Sequence, residues 1–99
     1  MNRVQDQKSK EEILKQVHLI LAEVMDEDPQ EIEVELETSF QNDLELESIE
    51  MVALGDSLRV YYGDDLNFAS WLTQFSLEEI LELKVGDLVE WIEQCLSKS

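Results

Sequence analysis

The chain has 99 residues, with 24 acidic side chains against 7 basic ones and a formal net charge of −17. That length holds one domain, and an apolar content of 43% supports a buried core rather than a disordered segment. Such a charge disfavours nucleic acid and anionic lipid as partners, because like charges repel, and favours proteins that carry basic patches.

A single cysteine, Cys95, cannot make an internal disulfide, so nothing asks for an oxidising compartment. No N-terminal stretch joins basic residues to an apolar run of signal-peptide length. The apolar run 19–22 is far short of a membrane span. The expectation is a cytoplasmic monomer with no membrane insertion.

Residues 1–8 are polar and unpatterned, and read as a flexible N-terminal tail. Ser9 and Glu12 have the spacing of a capping box. Ile13, Leu14, Val17, Ile20, Leu21, Val24 and Met25 then recur at helical spacing, which predicts a helix over 10–26. It should stop ahead of Asp28-Pro29, since a residue before proline avoids helical angles. Pro29 suits the first position of one further turn.

Residues 31–37 alternate acid and aliphatic, the pattern of a strand. No second alternating run exists to pair with it, so the segment reads as an extended loop pressing Ile32, Val34 or Leu36 onto the helices. Phe40, Leu44 and Leu46 continue that cover.

The second long helix should open at Ser48, a favoured cap residue, and end at Gly63. Met51, Leu54, Gly55, Leu58 and Tyr62 form its core stripe. Ile49, Val52, Ala53 and Val60 form a second stripe on nearly the opposite side, a face left for a partner. A short turn over 68–72 capped by Asn67 should follow, then a capping box at Ser76 and Glu79 that opens a segment with Leu77, Ile80 and Leu81. Val85, Leu88, Val89, Ile92, Cys95 and Leu96 mark a last amphipathic helix. The predicted fold is all-α: a small four-helix bundle over 9–96 with a long first loop, a short third helix and a tail at 97–99.

Several side chains invite a chemical reading. Gly55-Asp56-Ser57-Leu58 matches the first block of a class of serine hydrolases, but Ser57 falls mid-helix and the single histidine, His18, sits in the first helix at the rim of its apolar stripe. Asp43, Glu45 and Glu47 alternate like a calcium loop. Counting from Asp43, the sixth and twelfth places hold Ser48 and Leu54 instead of glycine and glutamate, so the motif fails and no metal site is expected. Cys95 reads as a small core residue, and Trp71 and Trp91 as core or rim.

One longer pattern remains. The run Thr38-Ser39-Phe40-Gln41-Asn42-Asp43-Leu44-Glu45-Leu46-Glu47-Ser48-Ile49 resembles the acyl carrier protein signature T-S-F-x-x-D-L-G-x-D-S-L. Val85-Gly86-Asp87-Leu88-Val89-Glu90-Trp91-Ile92 resembles the pattern that opens that family's last helix. The resemblance spans roughly residues 9–96. It departs at Glu47 for aspartate, Ile49 for leucine, Glu45 for glycine and Lys84 for threonine, and 64–83 is longer than a minimal carrier needs. These departures bear on which transferase would act.

The resemblance implies a carrier rather than an enzyme. It places a 4'-phosphopantetheine arm, donated from coenzyme A, on Ser48, with Phe40 eight residues upstream in the family register. Acyl cargo would ride on the arm as a thioester, in fatty acid, polyketide-like or another specialised synthesis. The implied partners are a phosphopantetheinyl transferase and acyl-processing enzymes with basic patches. Glu47, Ile49, Glu50, Val52, Ala53 and Asp56 would be the recognition face. Two alternatives stand beside it: a peptidyl carrier, and an acidic helical interaction protein with no prosthetic group, in which Ser48 is a plain helix cap.

Overall fold

The computed structural model describes residues 10–97, and among them the chain is an all-α bundle with one connected core. The expected tail at 1–8 and the Ser9 side of the first capping box lie outside the described residues, as do 98 and 99.

Helix α1, Lys10–Met25, buries Ile13, Val17, Ile20 and Leu21, one face of a helical repeat, and also Ala22 off that stripe. It ends at Met25, not at Asp26 as expected, and the proline is not what stops it. The Asp26 amide donates to the Glu23 carbonyl at 3.2 Å and the Glu27 amide to the Ala22 carbonyl at 2.9 Å. With Asp26 at φ 59°, this is a Schellman closure built on an aspartate. Pro29 then opens the further turn, a 3₁₀ turn at Pro29–Glu31, with the Asp28 side chain accepting from the Gln30 amide at 2.9 Å.

The alternating segment forms no strand among the described residues. Val34 is the side chain that enters the core, Ile32 is half-buried and Leu36 stays exposed. His18 holds this loop to α1: its Nε2 lies 2.9 Å from the Pro29 carbonyl and 3.1 Å from the Ile32 carbonyl. Facing two acceptors, Nε2 carries the proton.

Helix α2, Ser48–Tyr62, buries Met51, Leu54, Gly55 and Leu58, while Tyr62 is only half-buried. Gly63 ends it at φ 113°, ψ 166°, outside the left-handed helical well and in a region open essentially to glycine alone. Gly55 is the close approach to the next helix. A Cβ there would lie 3.0 Å from the Phe68 ring.

The short third region is two five-residue helices. In α3, Phe68–Leu72, the Asn67 side chain caps the Ser70 amide at 3.0 Å, as its sequence position suggests. In α4, Leu77–Leu81, Ser76 and Glu79 form the reciprocal capping box. Leu77 and Leu81 nevertheless face solvent.

Helix α5, Val85–Ser97, buries Val85, Leu88, Val89 and Ile92 against α1. Ser97 belongs to this helix, not to a tail. Trp71 and Trp91 stack with ring centres 5.0 Å apart, Trp71 buried and Trp91 at the rim. Cys95 is half-buried beside the core rather than within it.

Candidate functional site

The loop before α2 is built by the side chains that the sequence pattern singles out. Thr38 Oγ1 accepts the Glu35 amide at 2.8 Å. Ser39 is buried; its Oγ accepts the Asn42 amide at 3.0 Å, while its own amide donates to Asp43 Oδ2 at 2.8 Å. These local bonds replace the ladder that a strand would have supplied. Phe40 is fully buried, and its carbonyl accepts the Leu46 amide at 3.0 Å, which folds the chain back. Leu46 is buried as well, and Leu44 partly so.

Glu45 has φ 53°, the left-handed region that glycine enters most readily. Its place is the one where the carrier signature has glycine. The loop thus takes, with a glutamate, a backbone conformation that glycine adopts readily.

The chain then meets α2. Glu47, extended at φ −88° and ψ 165°, is the cap residue, and Ser48 is the first residue of the helix. This corrects the expectation that Ser48 itself caps α2. The Glu47 amide donates to Glu50 Oε1 at 2.8 Å, so Glu50 secures the helix start. The Ser48 side chain is exposed and makes no hydrogen bond among the described residues. It stands at the positive end of a 15-residue helix.

The candidate recognition residues share one outward face. Ile49 is 73% exposed and Val52 65%, while Ala53, one turn after Ile49, is partly exposed. Glu47 and Asp56 are exposed and Glu50 partly so, giving the apolar pair an acidic rim. Arg59 is paired at 3.8 Å with Asp56 and at 3.7 Å with Asp64, both at the surface.

Ser57 has a different setting. It lies inside α2 and is half-buried, with Gly55 and Leu58 beside it in the core. His18 is engaged by the Pro29 and Ile32 carbonyls. Among the described residues, no hydrogen bond joins Ser57 to His18 as a nucleophile to its base. Among the described residues no group of His, Cys, Asp or Glu is arranged to hold a metal ion, and no helix is long and apolar enough to cross a membrane.

Two features were not legible from the chain alone. A small cavity of about 160 Å³ opens between α2 and α3, one turn from Ser48, lined by Val52 and Gly55 on one side and Phe68 and Leu72 on the other. A wider groove of about 1020 Å³ lies elsewhere, between α1, the first loop and the end of α2. There, burial pushes the Tyr62 phenol up to about 12, with the neighbouring Tyr61 adding to the shift. Neither Ser48 nor its acidic neighbours line that groove.

No protein-family model matches the chain, and no match was found among curated proteins or among solved structures.

Proposed function

We propose that the protein is an acyl carrier, holding acyl intermediates as thioesters on a 4'-phosphopantetheine arm attached to Ser48. The observation that supports this most directly is the placing of Ser48. An exposed serine that makes no side-chain hydrogen bond among the described residues opens a long helix, and a loop whose structural bonds come from residues of the carrier-like pattern leads into it. A phosphodiester on its Oγ would lie at the positive end of α2, where an anion is favoured. The group fits the residues present: Ser48 is exposed, and so are its chain neighbours Glu47 and Ile49.

Recognition by successive enzymes needs contacts that form and release quickly. An apolar pair of modest area inside an acidic rim suits that, since charge steers the encounter and little surface must separate. Ile49 and Val52, with Glu47, Glu50, Ala53 and Asp56 around them, supply such a face. The chain itself performs no chemistry in this reading.

The test is intact mass after incubation with coenzyme A and a broad-specificity phosphopantetheinyl transferase. One phosphopantetheinyl addition is expected, lost in Ser48→Ala and kept in Ser57→Ala. An addition that persists in folded Ser48→Ala would refute the assignment. If no transferase modifies either serine, the acidic interaction protein becomes the better reading.

A further inference from the structure

Helices α1 and α2 bring together apolar side chains that neither core face uses. Leu19 is 50% exposed, Val60 87% and Tyr61 57%. All three line one shallow groove between the two helices, together with Ile20 and Gln16. Leu19 falls outside the apolar stripe of α1, whose buried residues are Ile13, Val17, Ile20, Leu21 and Ala22. Val60 and Tyr61 likewise fall outside the buried set of α2. Isolated exposed aliphatics are ordinary, but large ones drawn from two helices into one surface mark a contact site.

We infer that Leu19, Val60 and Tyr61 form a second docking surface, one that takes an amphipathic helix of a partner protein with apolar side chains flanked by lysine or arginine. Charge selects this occupant. Glu23 and Asp56 line the same groove. The adjoining groove, which shares Leu19 and Tyr61, has Lys15 but also Glu12, Glu33 and Glu35. A second copy of a chain with net charge −17 would be repelled from it, whereas a basic segment is drawn in.

Position adds a further argument. Val60 follows Ile49 by three turns and lies only about 20° round the helix from it. The outward face of α2 therefore runs continuously from the end at Ser48 to this ridge, and α1 widens it with Leu19. A partner reaching the ridge gains contacts that the first turn of α2 cannot offer. The inference does not depend on any modification of Ser48, because no residue of the ridge lies in that turn.

The experiment titrates the full, unmodified chain with a synthetic amphipathic helix of leucine and lysine and follows backbone amide shifts by NMR. The expected shifts centre on Leu19, Val60 and Tyr61. The double variant Leu19→Gln, Val60→Gln should weaken binding roughly tenfold with unchanged circular dichroism, as for a central contact. Leu77→Gln, at a leucine on α4 that is 74% exposed, should leave affinity unchanged. A peptide with glutamate for lysine should not bind. The inference is overturned if shifts are confined to Ile49 and Val52 or to Leu77 and Leu81, or if the double variant binds as the parent does. It is overturned equally if the same residues shift with protein concentration alone, which would make the occupant a second copy. Mass analysis of Ser48 reads the carrier proposal separately, so each can fail alone.

Discussion

The Val85 amide donates to the Thr38 carbonyl at 2.8 Å, joining the start of α5 to the loop that leads to α2. Around it, the Gly86 amide donates to the Leu36 carbonyl at 2.8 Å and the Phe40 amide to the Leu83 carbonyl at 3.2 Å. The two stretches that resemble one family's patterns are therefore in direct contact. The loop that delivers Ser48 is fixed from both sides: by its own side-chain bonds, and by the backbone ahead of α5.

Gly86 is where this junction is tightest. A Cβ there would lie 2.8 Å from the Leu36 carbonyl oxygen, a backbone atom that cannot swing aside. Gly86→Ala should destabilise the protein by about 1–3 kcal/mol by denaturant unfolding, even though alanine is the better helix former. An unchanged midpoint would mean that the loop yields freely.

Glu45→Gly should act in the opposite sense. At φ 53° a glutamate carries left-handed strain that glycine lacks, partly offset by the greater freedom of glycine in the unfolded chain. A net gain of up to about 1 kcal/mol is expected from the same unfolding curves. A loss would show that the glutamate side chain contributes contacts of its own.

The two sides of α2 should respond differently to truncation. Leu58 is fully buried, so Leu58→Ala should cost about 2–5 kcal/mol. Val52 is largely exposed, and Val52→Ala should stay within about 0.5 kcal/mol. Equal losses in melting temperature would mean that the second stripe is packed in solution.

Added salt should raise the melting temperature. Among the described residues, the ion pairs of Lys10 with Glu90 and of Arg59 with Asp56 and Asp64 are long, at 3.7–3.8 Å, and exposed. Screening weakens those few attractions slightly and relieves repulsion among many more carboxylates. A falling melting temperature would contradict this balance.

Tyr62 sets a dependence at high pH. Its folded pKa is raised to about 12 from 10.0, chiefly by burial, so between those values the unfolded chain releases a proton that the folded chain keeps. Stability therefore falls as pH rises through 10 towards 12. Tyr62→Phe should flatten that part of a pH series of unfolding midpoints, and an unchanged slope would place the effect on other groups.

The sequence by itself determined the features that depend on near neighbours. The cap at Asn67, the box at Ser76 and Glu79, the turn at Pro29 and the faces of α1 and α5 are settled by hydrogen bonds or periodicity within a few residues, and each could be read directly. The expectation of a second, outward stripe on α2 came from the same helical periodicity, and Ile49, Val52 and Val60 are exposed. Only the tertiary structure decided what depends on residues distant in the chain. The alternation at 31–37 cannot say which aliphatic turns inward; the His18 contacts and the junction with α5 leave Val34 buried and Leu36 exposed. Gly55 is legible as a helix glycine, but its partner Phe68 is not. Leu19 lies off the stripe of α1 and gains a setting only when α2 places Val60 and Tyr61 beside it. Local bonding is written in spacing, whereas burial is a property of the surface that another part of the chain covers.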